Sequence, residues 1–164
     1  MRDDDRLFER LMLEVNQAGL SWLTILKKRD GFKDAYAAFS VAAVAAFDDD
    51  DRDRLLKDAG IIRNRLKVDA AISNAGSILE LQASHGSFAN WLDDHHPRSK
   101  PEWVKLFKRT FRFTGGEITG EFLMSTGYLP GAHHTECAAY KRIPNGTPPP
   151  WIQVDGKVFK VPEK

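Results

Sequence analysis

The stretch Glu14-Val15-Asn16-Gln17-Ala18-Gly19-Leu20-Ser21-Trp22 decides how the chain begins to fold. Ahead of it, Leu7, Phe8, Leu11, Val15 and Ala18 recur at helical spacing, with Asp3 to Asp5 as candidate caps. Gln17-Ala18-Gly19-Leu20 breaks that helix and Trp22 opens a second one. The second helix carries Ile25 and Leu26, ends near Lys27-Lys28-Arg29 and is expected to stop at Gly31. Glu14, seven residues after Leu7, falls on the flank of the apolar stripe. A half-buried carboxylate beside a large aromatic ring suits a flat polar ligand such as a nucleobase, held by hydrogen bonds and stacking. It also suits positive charge on a damaged purine. Gly19 and Leu20 are small enough to enter a gap in stacked bases. The residues alone leave a plainer role open, with Glu14 paired to a nearby basic residue and Trp22 filling the core.

The rest of the chain is read as helical almost throughout. Short helices are expected over Phe32 to Phe39, Val41 to Phe47 and Asp51 to Leu56, with the acidic run Asp48 to Asp51 at a helix N-terminus, where the dipole favours it. Asp58-Ala59-Gly60-Ile61-Ile62-Arg63 turns into a long helix from Asn64 to Ala83, with Leu66, Ala70, Ile72, Ala75 and Leu79 inward. Phe88 to Leu92 reads as a short helix and Asp93 to Pro101 as a loop. Trp103 to Arg109 and Glu117 to Thr126 read as helices joined by a tight hairpin, Thr110 to Gly116. Residues 1–140 form the expected helical domain and 141–164 a Pro-rich tail. In that tail Ile152 to Phe159 alternates around Asp155-Gly156, a β-hairpin signal. The fold class is therefore all-α with a short C-terminal β-hairpin.

Composition narrows the function. With 24 basic and 23 acidic residues the chain is no polycation, so nucleic-acid binding must come from clustered charge. One cysteine, Cys137, excludes an internal disulfide framework and suits a reducing cytosol. No apolar run reaches the ~20 residues of a membrane span, and the acidic start is unlike a signal peptide. A cytoplasmic monomer without membrane contact is expected. Walker, Rossmann, Gly-x-Ser-x-Gly and His-Glu-x-x-His motifs are absent from the sequence.

Besides Lys27-Lys28-Arg29, basic residues gather in two further places. Lys108, Arg109 and Arg112 flank the hairpin, where Gly115 precedes a helix whose backbone N–H groups suit an anion such as a duplex phosphate. Arg63, Arg65 and Lys67 follow the Gly60 turn. Both sets also fit an ordinary solvated surface. His133 and Cys137 have a spacing seen in zinc sites, although two ligands do not close a tetrahedral one.

In this order, Leu13-Glu14 with Gln17 to Trp22, Leu26 to Arg29, Asp58 to Arg65, Phe111-Arg112-Phe113-Thr114-Gly115, His133 and Cys137 resemble the 3-methyladenine DNA glycosylase I family. The resemblance runs from about Asp4 to Cys137 and implies a helix–hairpin–helix glycosylase domain. It implies that Glu14 hydrogen-bonds the edge of 3-methyladenine, that Trp22 stacks on it, and that Gly19 and Leu20 fill the gap the flipped nucleotide leaves. Arg63, Arg65, Lys108, Arg109, Arg112 and Gly115 would meet DNA.

The implied reaction is monofunctional hydrolysis of the N-glycosidic bond of alkylated purine in duplex DNA, leaving an abasic site. It needs no cofactor. A non-excising relative that binds distorted duplex is the alternative, and a helical protein-interaction domain a third reading. Family members carry an N-terminal arm ahead of the position of Asp4, with a cysteine and a histidine that complete a structural zinc site; here the sequence opens Met1-Arg2-Asp3, and His133 and Cys137 are half of that set. Val15 and Thr110 stand where glycines are usual. Gly120, Glu121 and Met124 stand where tyrosine, a small residue and glutamine are common. Loss of a ring at Gly120 is expected to reshape the base pocket, and Glu121 is expected to face away from DNA.

Overall fold

A computed structural model describes residues 1–133, 136–138 and 149–152. Nine α-helices run through these residues: α1 Asp4–Gln17, α2 Trp22–Lys27, α3 Arg29–Ala35, α4 Val41–Ala45, α5 Asp49–Lys57, α6 Arg65–His85, α7 Phe88–His95, α8 Lys100–Thr110 and α9 Gly116–Thr126. No strand occurs among the described residues. Of the β-hairpin expected over Ile152 to Phe159, only Ile152 is described, and it ends a 3-10 turn, Pro150–Ile152; the rest lies outside the described residues.

α1 is the central helix. Asp3 caps it by accepting from Arg6 N–H at 2.8 Å, and Leu7, Phe8, Leu11 and Val15 are fully buried. Its neighbours are α9, α6 and α7, so partners distant in sequence surround it. Asp4 fixes this packing. Its carboxylate accepts from the N–H groups of Phe88 and Ala89 and from the side chain of Gln82, capping α7 from the start of α1. α6 is the long strut, begun by Asn64, whose side chain accepts from Lys67 N–H, and ended by Gly86 in the left-handed region at φ 81°.

Phe88, Trp91, Trp103, Phe107, Phe111 and Phe122 form one aromatic cluster that joins α7, α8 and α9, with neighbouring ring centroids as close as 5.3 Å. Such pairs add about 0.5–1.5 kcal/mol each beyond area burial. The cluster seats the α8–α9 turn, because Phe111 belongs to both.

Several boundaries differ from the sequence reading. Gly31 does not stop α2 but sits within α3, against Gly60, where a Cβ would stand 2.5 Å from the Gly60 carbonyl oxygen. Leu66 and Leu79, expected inward, are 67% and 37% exposed. Ala70, Ile72 and Ala75 are buried as expected, and Val68, Ala71 and Ile78 complete the stripe of α6 that faces the core. α7 and α8 consume most of the expected loop. α8 starts early because Ser99 N–H donates to Glu102 and Pro101 tolerates the first turn.

Candidate base-recognition site and nucleic-acid face

Glu14 is buried on the last turns of α1, with a relative exposure of 1%. Its Oε1 stands 3.5 Å from Arg10 Nε, whereas Oε2 is buried without a hydrogen-bond partner. Burial pushes the carboxyl pKa up to about 7; the Arg10 charge opposes that rise and the Glu121 charge adds to it. A buried acceptor without a partner is costly unless a ligand supplies the donor. Glu121 of α9 is exposed, and its charge is felt at Glu14 because α9 packs against α1.

Trp22 opens α2 and is half-buried. Ser21 caps α2, accepting from Thr24 N–H at 3.2 Å. The Arg10 guanidinium lies over the Trp22 ring, 5.7 Å from its centroid. A cavity of about 210 Å³ opens beside the ring, walled in part by Arg10, Leu13, Trp22 and Leu26. Between Glu14 and Trp22 the chain turns at Gly19, whose φ of 80° suits glycine. Gln17 pins the corner, its side chain donating to the Leu20 carbonyl at 2.9 Å, and Leu20 is 37% exposed.

Lys67 points inward rather than to solvent with Arg63 and Arg65. Its ammonium donates to the carbonyls of Asn16 and Ala18, both at 2.8 Å, satisfying the end of α1. It also lies 5.9 Å from the ring of Phe113 in the α8–α9 turn. Burial lowers its pKa. One side chain thus ties the Gly19 corner to the hairpin, a role that depends on a helix 49 residues away in sequence.

The hairpin itself is rigidly held. Thr114 donates to the carbonyls of Phe107 and Phe111, and Asn74 of α6 exchanges two hydrogen bonds with the main chain of Arg112. Phe113 has φ 59°, a strained value for an aromatic residue. Gly115 is the N-cap of α9. Lys108, Arg112 and Gly115 line a hollow of about 550 Å³.

Arg112 also borders a second hollow of about 450 Å³ with Arg52, Arg65 and Asp69, so the two basic clusters are neighbours. Arg65 reaches Asp69 at 3.9 Å and otherwise stays exposed. Arg63, Lys108 and Arg109 are exposed. Sequence reasoning misses Arg10, Arg52 and Asn74 and reads Lys67 only as part of a basic cluster; their partners lie largely on other elements, and only the i,i+4 spacing of Arg10 and Glu14 is visible in the sequence.

Gly120 does not open the site to a void. Lys100 lies against it, with Cε 2.7 Å from where a Cβ would stand. His133 is exposed and Cys137 is a free, partly buried thiol. Among the described residues no group of three or more His, Cys, Asp or Glu side chains is placed to hold a metal ion. Two donors do not fit a closed zinc site.

The methyladenine glycosylase family model matches residues 1–103. DNA-3-methyladenine glycosylase 1 of Escherichia coli (strain K12) is 34% identical over 157 residues, covering 84% of this chain and 83% of that protein. A crystal structure of 3-methyladenine DNA glycosylase I superposes with a TM-score of 0.74 at 35% identity, over 84% of this chain and 86% of the other. A variant of such an enzyme in complex with 3-methyladenine gives a TM-score of 0.76 at 30% identity, over 85% and 84% of the two chains. With its helices, its buried glutamate and its indole arranged as above, the chain belongs to the methyladenine glycosylase family.

Proposed function

We propose that this chain is a monofunctional DNA glycosylase that excises 3-methyladenine, with Glu14 and Trp22 reading the extruded base. The observation that carries the residue assignment is the buried Oε2 of Glu14, which has no hydrogen-bond partner, on a carboxylate that Arg10 links to the half-buried Trp22 indole. Methylation at N3 gives adenine a positive charge, so the base is already a good leaving group. Glu14 accepts a hydrogen bond from its exocyclic amine and stabilises the cation until the bond breaks. The N9–C1′ electron pair leaves with the base, which becomes neutral 3-methyladenine. Water adds its oxygen to C1′ and loses a proton, leaving an abasic sugar. Little more than selective extrusion and electrostatic support is asked of the protein.

DNA is held on the face shared by the corner and the hairpin. Gly19 and Leu20 occupy the gap left by the flipped nucleotide. Arg63, Arg65, Lys108, Arg109 and Arg112 meet phosphates, and the α9 N-terminus at Gly115 adds backbone donors as the second helix of a helix–hairpin–helix unit. This reading is supported by the exposure of these side chains and by the hollow that Arg65 and Arg112 share.

The test is release of free 3-methyladenine from methylated duplex DNA by the parent and by Glu14→Gln. Release by the parent that falls at least tenfold in the variant is expected. Duplex binding with no release by either protein would favour the non-excising alternative.

A further inference from the structure

Arg10 makes with its own protein the contacts assigned above to a flipped base. It lies one turn before Glu14 on α1, with Nε 3.5 Å from Glu14 Oε1. The same Nε donates to Ser125 Oγ of α9 at 2.9 Å, and the guanidinium carbon stands 5.7 Å from the Trp22 centroid. A guanidinium is a planar cation with N–H donors along its edge and an affinity for aromatic faces. Adenine methylated at N3 is also a planar cation with an N–H donor at its edge. Both ask for a carboxylate at the rim and an indole at the face.

We propose that Arg10 is an internal occupant of the base site, a planar cation that the flipped, cationic base displaces. The inference rests on Glu14 and Trp22 being the base-reading pair.

Four features make displacement workable. The Arg10–Glu14 approach is long for an ion pair, against about 2.7–2.9 Å for a well-formed one. It leaves Oε2 of Glu14 unpartnered, so the guanidinium does not saturate the carboxylate. The Arg10 side chain is 38% exposed and has a way out, whereas that of Glu14 is 2% exposed and has none. Glu121, one turn before Ser125 on α9 and exposed, offers the departing guanidinium a carboxylate along the same stripe of the helix. The exchange replaces one cation by another at Glu14 and keeps the buried charge compensated. Substrate affinity is then reduced by the fraction of molecules in which Arg10 is in place.

The experiment measures kcat/KM for 3-methyladenine release from methylated duplex by the parent, Arg10→Ala, Arg10→Met and Glu14→Gln. Removing an exposed cation–π contact and a loose ion pair is expected to raise kcat/KM about fivefold in both Arg10 variants. Guanidinium chloride at about 0.1 M, with ionic strength held constant by exchange against sodium chloride, is expected to move Arg10→Ala toward the parent rate more than it changes the parent. Arg10→Met, which refills the space with an apolar chain, is expected to respond less.

Unchanged or slower release by both Arg10 variants, with no response to guanidinium and Glu14→Gln still impaired, would overturn the occupant and spare the base site. Release by the parent that Glu14→Gln does not diminish would overturn both.

Discussion

Asn74 holds Arg112 by its main chain. The buried carboxamide accepts from the Arg112 N–H at 2.7 Å and donates to the Arg112 carbonyl at 3.1 Å, leaving the guanidinium on the exposed side of the turn. Asn74→Ala removes both bonds and is expected to cost about 1–3 kcal/mol in urea unfolding. It is also expected to weaken binding to every duplex. Arg112→Ala is expected to leave stability unchanged and to lower the salt slope of duplex binding by about one. An Asn74 variant with full stability and full affinity would remove that residue from the hairpin's support.

Lys67→Met keeps the buried stem but removes both donors to the carbonyls of Asn16 and Ala18. A loss of about 1–3 kcal/mol is expected. Amide exchange measures where the loss falls. Faster exchange confined to residues 17–20 and the Phe113 turn is the expected pattern, and uniform acceleration would show that Lys67 serves only the core.

Glu14 makes stability depend on pH with a definite sign. Its folded pKa of about 7 lies above the ordinary carboxyl value of 4.5. Between those values the folded chain binds more protons than the unfolded one, so this group's contribution to stability is full below about 4.5, falls as pH rises toward 7, and changes no further above. Glu14→Gln removes the ionisation and is expected to be more stable than the parent at pH 8 by about 1–3 kcal/mol, with little difference at pH 4. Thermal unfolding at the two pH values checks this; an equal difference at both would mean that Glu14 is not held near neutrality by burial.

Gly31 and Gly76 give a matched pair. An alanine Cβ at Gly31 would meet the Gly60 carbonyl at 2.5 Å, whereas at Gly76, inside α6, nothing lies within 4 Å. Gly31→Ala is therefore expected to lose about 1–3 kcal/mol. Gly76→Ala is expected to gain about 0.5–1 kcal/mol from helix propensity. A neutral Gly31→Ala would show that α3 shifts away from the 58–63 turn at no cost.

The local grammar of the sequence carried much of the fold. Ser21 and the Asp48–Asp51 box cap helices as their types suggest, and Gly19 marks the corner between Glu14 and Trp22. Single-helix periodicity failed where a tertiary neighbour chose the face, as at Leu66 and Leu79 of α6. It failed at Gly31 because a glycine required for close approach to Gly60 has the same letter as one that ends a helix. Arg10, Lys67 and Asn74 are ordinary helix-surface letters in sequence. Their meaning comes from Ser125, Ala18 and Arg112, brought to them by packing.

The cap that Asp4 places on α7 has a kinetic meaning. The helix that bears Glu14 is synthesised before α7 and α9, but its start is fastened to residues 88 and 89 and its flank to α9. Contacts of such long sequence separation carry a loop-closure cost before they return any stability. Glu14 is therefore enclosed among the last parts of the molecule to assemble, and a nascent chain that has not yet delivered α9 holds it without its native surroundings.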